Sequence, residues 1–178
     1  MDLLNKTILI TGASDGIGEV LAVEFSKLGS NIILLGRDSL KLDEVYDRLD
    51  CSFDSQKHLI LQADLALLNN ESSHEILRAI SEEYKSLDGI VHNAAILGTM
   101  TTLADYELSK WDEVLNINLR APFLLTKILK PILEESTLPR IIFTSSGVAN
   151  IGRAFWGAYS VSKFGLKGLA EIYANELE

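Results

Sequence analysis

Five short apolar runs, each followed by a longer stretch of helical spacing, constrain this chain more tightly than any other feature of its sequence. Residues 6–10, 31–35, 58–62, 89–92 and 140–143 read as strands. Helical patterns cover about 16–28, 39–49, 71–84, 111–134 and 157–177. A strand that is apolar at successive positions suits burial on both faces, as in a parallel sheet covered by helices. The pattern predicts an α/β fold, a doubly wound parallel sheet with helices on both faces. At 178 residues the whole chain, 1–178, suits one domain with a sizeable core. Pro122 and Pro131 lie inside the longest helical stretch, where each removes a backbone donor. A start or a kink is expected beside them, without a split into two helices.

A dinucleotide-binding sheet of this type joins two three-stranded halves, whereas five strand patterns are present here. Helical spacing runs on to the end, so the chain reads as a fragment or as a naturally shortened protein. An exposed edge on the fifth strand and uncovered apolar surface are expected.

Charge and composition remove several classes of function. A formal net charge of −9 argues against nucleic acid as a partner. No apolar run reaches the roughly 20 residues that span a bilayer, so no membrane span is expected. Cys51 is the single cysteine and is read as a buried or half-exposed thiol, with no disulfide framework and no cysteine zinc site. His58, His74 and His92 fall on three different units, and no metal is predicted. His92 is expected to donate to backbone. The polar N-terminus is no signal peptide, and a cytoplasmic location is expected.

The segment Thr11-Gly12-Ala13-Ser14-Asp15-Gly16-Ile17-Gly18 lies directly between the first strand and the first helix. Glycines there permit a tight turn, close approach of backbone to a pyrophosphate, and close packing of helix on strand. The helix N-terminus adds unpaired N–H groups and a favourable dipole. After the second strand, Gly36 stands where a ribose-binding acid belongs, and Arg37 follows. Arg37 suits a 2′-phosphate, so NADP(H) is favoured over NAD(H). Asp15 argues the other way, because a basic residue in the turn would have served a phosphate better.

Tyr159 and Lys163 are four residues apart on the last helix and share a face. A nearby ammonium stabilises a phenolate, which makes tyrosine a usable acid or base near neutral pH. Ser146, at the end of the fifth strand, is positioned to hydrogen-bond a substrate carbonyl. Tyr106 and Lys110 repeat the spacing without a serine thirteen residues upstream, where Asn93 stands; they are read as surface or packing residues.

In order along the chain, Thr11-Gly12-x-x-x-Gly16-x-Gly18, Asn93-Ala94-Ala95, Asn118 in NINLRAPF, Ser146 and Tyr159-Ser-Val-Ser-Lys163 resemble the short-chain dehydrogenase/reductase family. The resemblance covers essentially the whole chain. TGASDGIG, ILLGRD, HNAAILG and FTSSGVANIGRAFWGAYSVSKF are similar to its YciK-like oxidoreductases. It implies a Rossmann domain in which Tyr159 is the catalytic acid/base. Lys163 would lower the Tyr159 pKa and bind the nicotinamide ribose. Ser146 would orient the carbonyl, and Asn118 would hold a water that relays protons from Lys163. Asp64 would contact the adenine, or equally cap a helix, and Asn93 would line the cofactor groove. Ser14, Asp15, Ile17, Leu65 and Ala94 complete the expected cofactor set. The family has glycine where Ala95 stands, and its members continue through a sixth strand, a substrate loop and a seventh strand.

The resulting expectation is an oxidoreductase that interconverts a small-molecule carbonyl and an alcohol. The alternative is a non-catalytic dinucleotide-binding or assembly module. The resemblance also implies a homodimer or homotetramer formed through the long helix and the last helix. Phe123, Leu124, Ile128, Phe164 and Leu169 would suit either core or interface.

Overall fold

In the computed structural model, which describes residues 3–176, each apolar run forms a strand and each helical pattern forms a helix. The order is β1 (Thr7–Thr11), α1 (Gly16–Lys27), β2 (Asn31–Gly36), α2 (Ser39–Tyr46), β3 (Leu59–Gln62), α3 (Asn70–Glu83), β4 (Gly89–His92), α4 (Leu108–Leu115), α5 (Ala121–Glu134), β5 (Arg140–Phe143) and α6 (Gly157–Glu176). The sheet is parallel with strand order β3-β2-β1-β4-β5. Alternate residues of β1, β2, β3 and β4 enter opposite cores, which is why these runs are continuously apolar. Leu9, Ile33, Leu35 and Ile90 pack with Ile76 and Ile80 of α3 and with Leu125 and Leu129 of α5. Ile8, Ile10, Ile32 and Leu34 pack on the other face with Ala22 of α1 and with Leu42 and Val45 of α2.

Several expected boundaries move for identifiable reasons. The second helix ends at Tyr46 and not at Leu49, because Arg48 and Leu49 donate to Val45 and Tyr46 in tightened turns. The long helical stretch starts at Leu108 and holds a π-helical turn over Asn116–Arg120, directly before Pro122 in the first turn of α5. The missing N–H of Pro122 thus falls where helical hydrogen bonding already changes register. Pro131 is carried inside α5. The expected end of the last helix at Leu177 lies outside the described residues. Cys51 is exposed. β5 forms one edge of the sheet, and Ile142 on it is 51% exposed. No described helix is long and apolar enough to cross a membrane.

His92 departs from its expected backbone partner. Its Nε2 lies 2.8 Å from the Thr126 hydroxyl, its ring stacks on Phe143, and its Nδ1 has no partner among the described residues. Burial pushes its pKa down to about 3. An unfolded histidine titrates near 6.5, so below that pH the unfolded chain binds a proton that the native chain refuses. The His92 contribution is therefore intact above pH 6.5 and is lost at about 1.4 kcal/mol per pH unit as pH falls toward 3. Urea midpoints measured from pH 7 to pH 4.5 should fall more steeply for the wild type than for His92→Gln. Parallel profiles would contradict this assignment.

Candidate cofactor cleft and active site

The strand sequence reverses direction between β1 and β4, and doubly wound sheets bind ligands at the carboxyl ends of strands beside such a switch point. The glycine turn leaves β1 there. Gly12 has φ 65°, and an added Cβ would lie 2.8 Å from the Ala94 Cα. A Cβ on Gly18 would meet the Gly12 carbonyl oxygen at 2.2 Å, so α1 can approach the turn closely only with glycine at that position. The Thr11 hydroxyl accepts N–H bonds from Asn93 at 3.0 Å and Ala94 at 3.1 Å, which binds the turn to the end of β4. Asp15 stands at the N-cap of α1 yet makes no side-chain cap bond. In the first turn of α1 the N–H groups of Ile17 and Gly18 are thereby left for a ligand, whereas the Gly16 N–H interacts with the Asp15 carboxylate.

A cleft of about 420 Å³ opens beside this turn. Gly12, Ser14 and Asp15 line it from β1, Arg37 from β2, and Asp64 and Leu65 from β3. Asn93, Ala94 and Ala95 line it from β4. Ala95 is exposed, so its methyl group faces open space. Asp64 caps no helix; its carboxylate accepts from Ala66 N–H at 2.9 Å in a tight turn, while Asn69 caps α3. The Leu65 side chain is buried in the core. Arg37 is exposed and forms no ion pair among the described residues. Lys41, which the sequence reading passed over, lies in the same lining and pairs with Asp15 at 2.8 Å. The closely approached glycines, the uncapped helix start and the unpaired guanidinium fit a dinucleotide with an extra phosphate.

The second group of residues gathers at the ends of β4 and β5. Lys163 is 2% exposed, donates from Nζ to the Thr144 carbonyl at 2.8 Å, and lies 5.7 Å from the Tyr159 ring centroid. Burial lowers its pKa from the ordinary lysine value. Thr144 in turn reaches Asn93 Oδ1 at 3.5 Å, which joins this group to the cleft. Ser146 accepts from Val148 N–H at 3.5 Å and caps a short 3₁₀ turn over Gly147–Ala149, leaving its own hydroxyl hydrogen available to donate. Ser160 holds that turn against α6 by donating to the Val148 carbonyl at 3.0 Å.

Asn118 is fully buried in the π turn. Its Oδ1 accepts from Ile96 N–H at 2.9 Å, and its Nδ2 donates to the Ile96 carbonyl at 2.9 Å and to Ser162 Oγ at 3.1 Å. The side chain is therefore fully used in joining the loop after β4 to α6. In the π turn, hydrogen bonds run from the fifth residue on, as from the Ala121 N–H to the Asn116 carbonyl, and Pro122, four positions beyond Asn118, has no N–H to restore the ordinary helical bond. Tyr106 and Lys110, the pair with matching spacing, have packing and surface roles, the Tyr106 ring lying against Gly157 at the start of α6. Tyr106 precedes α4, stacks edge-on against Trp111 and accepts from Thr99 N–H, and Lys110 pairs with Glu113. Among the described residues no group of three or more metal-ligating side chains occurs.

A family model described as short chain dehydrogenase matches residues 6–178. The chain belongs to the short-chain dehydrogenase family. It is 38% identical over 178 residues to the uncharacterized oxidoreductase YciK of Escherichia coli K12, spanning 99% of this chain and 70% of that protein. It is 30% identical to an NADPH-dependent pterin aldehyde reductase of Arabidopsis thaliana, covering 69% of it. A crystal structure from Escherichia coli CFT073 complexed with NADPH superposes with a TM-score of 0.93 at 38% identity, covering 99% of this chain and 74% of that one. One from Shigella flexneri complexed with NADP gives 0.92 at 39% identity, covering 98% and 73%.

Within this short-chain dehydrogenase fold, the Asn118 amide predicts a measurable cost. Asn118→Leu leaves the half-buried Ile96 N–H and carbonyl, and the buried Ser162 hydroxyl, without their amide partner and should lower unfolding free energy by about 1–3 kcal/mol. Asn116→Ala, two residues away and with no such bonds, should change it by less than about 0.5 kcal/mol. Urea denaturation of both variants checks the contrast, and equal losses would show that the amide is not the anchor.

Proposed function

We propose that the chain is an NADP-preferring oxidoreductase that interconverts a carbonyl and an alcohol, with Tyr159 as acid and base. The reading rests above all on Lys163, a buried amine hydrogen-bonded to Thr144 and set over the Tyr159 ring at the same sheet edge as the glycine cleft. Gly12, Gly16 and Gly18 with the start of α1 would hold the pyrophosphate, and Arg37 the 2′-phosphate. Asp64 and Leu65 would border the adenine, with Ser14, Asp15, Ile17, Asn93 and Ala94 along the groove. The relatives solved with NADPH and NADP support this cofactor class. The nicotinamide, when bound, supplies or accepts the hydride at the carbonyl carbon.

The chain's own residues manage the proton. Tyr159 donates it to the developing alkoxide, or removes it in the reverse direction. The positive charge of Lys163 favours the phenolate that remains, and Lys163 also binds the nicotinamide ribose. Ser146 donates its free hydroxyl hydrogen to the carbonyl oxygen, where negative charge develops. Asn118, whose side chain is committed to Ile96 and Ser162, would use its main-chain carbonyl to hold a water that carries protons between Lys163 and solvent.

A homodimer or homotetramer in the cytoplasm is the proposed setting. Support for self-association is a mainly apolar groove of about 630 Å³, lined by Leu103 and Phe155 from the loops and by Val161 and Phe164 of α6. Phe123 and Phe164 are 44% and 43% exposed, whereas Leu124 and Ile128 are buried in the core.

Tyr159→Phe tests the catalytic assignment directly. NADPH consumption with a panel of aldehydes and ketones should fall by about 10²–10⁴-fold, while NADPH affinity stays within about threefold. Undiminished turnover in the variant would overturn the role of Tyr159. A wild-type chain that binds NADPH yet turns over no carbonyl would favour the non-catalytic module.

A further inference from the structure

Of the charged side chains that line the cleft after β1 and β2, Asp15, Arg37, Asp38 and Lys41, only that of Arg37 makes no hydrogen bond or ion pair among the described residues. Asp38 caps α2 by accepting from the Lys41 N–H at 3.2 Å. The Lys41 ammonium reaches back across 26 residues to Asp15 in the glycine turn, at 2.8 Å. Asp15 holds a position where aspartate ordinarily caps its own helix, and it makes no such bond. Its carboxyl is held below the ordinary range, chiefly by the hydrogen bond and charge of Lys41. Both side chains are well exposed, 50% for Lys41 and 74% for Asp15, and exposed ion pairs add little to stability. A weak structural bond thus stands at the mouth of the cleft, where it decides the local charge.

We propose that Lys41 sets cofactor preference by masking Asp15. The ion pair cancels the one acidic charge of the glycine turn, so a 2′-phosphate approaching Arg37 meets no repulsion from Asp15 beyond that of the neighbouring Asp38. Without Lys41, the Asp15 carboxylate repels a dianionic phosphate but can still accept a hydrogen bond from a ribose 2′-hydroxyl. Loss of Lys41 therefore shifts preference toward NADH and does not weaken both cofactors alike. Lys41 is a positioning residue that acts through Asp15. The inference rests on the proposed NADP preference and goes one step beyond it.

The test is calorimetric titration of the 178-residue chain with NADPH and, separately, NADH, for the wild type, Lys41→Met, Asp15→Asn, the double variant and Arg37→Met. Lys41→Met should weaken NADPH binding about tenfold at low salt, leave NADH unchanged or tighter, and lose most of the difference at high salt. The double variant should recover most of that loss, because the charge being masked is gone. Equal weakening of both cofactors by Lys41→Met would make the residue merely structural. A double variant as weak as Lys41→Met would make Lys41 a direct phosphate ligand. Either result overturns the masking. Arg37→Met keeps this separate from the underlying reading. If the wild type shows no preference for NADPH, the NADP assignment falls and the masking falls with it; if Arg37→Met leaves the ratio unchanged, the role of Arg37 falls. If Arg37 matters and Lys41 does not, only the masking falls. Both substituted side chains are exposed, and Lys41→Gln repeats the measurement with a polar residue.

Discussion

Asn118 is the group on which the rest of the site depends. Its amide grips both backbone polar groups of Ile96 in the loop after β4 and reaches Ser162 on α6. The first contact fixes the wall of the cofactor cleft, and the second fixes the helix that carries Tyr159 and Lys163. A buried amide with every bond made holds its neighbours in one arrangement, and a half-satisfied one would cost more than an apolar side chain. The amide thus holds the cleft and the helix of the Tyr159–Lys163 pair in register, alongside the Thr144 contacts with Asn93 and Lys163.

The sheet supplies the other constraint. Parallel strands point their carboxyl ends the same way, so the glycine turn, Arg37, Asp64, Asn93 and Ser146 all follow strands at one edge. Thr11 joins the ends of β1 and β4 through two N–H bonds, and Thr144 extends the connection to β5 and Lys163. Residues 11 to 163 meet because five strands share a direction, and the chemistry falls where that direction brings them.

Much of this was legible in the sequence, and the reasons can be named. Continuously apolar runs announce strands covered on both faces, and glycines directly after such a run announce the turn. The Ser146, Tyr159 and Lys163 set stood out against Tyr106 and Lys110 because only the former follows the end of a strand with its serine. What escaped was non-local or carried by backbone. Asp15 looked like an argument against a phosphate because Lys41 is 26 residues away, and no periodicity links them. Asn118 was read for a water-holding role, and its side chain proves to be committed to Ile96 and Ser162. The prolines signalled irregularity in the long helix, but apolar spacing does not reveal that it takes the form of a π turn over Asn116–Arg120. The unpartnered Nδ1 of His92 likewise follows from packing against Thr126 and Phe143 that spacing does not reveal.

The most direct test of a single site joining the glycine cleft to the Tyr159–Lys163 face is amide hydrogen exchange of the chain with and without saturating NADPH. Slowed exchange is expected together at residues 11–18, at 93–96 and at 144–148, the three backbone segments that the Thr11, Asn118 and Thr144 contacts tie into one edge. Protection confined to the groove around Phe155 and Phe164, or protection of residues 11–18 alone with 93–96 and 144–148 unchanged, would contradict that unity.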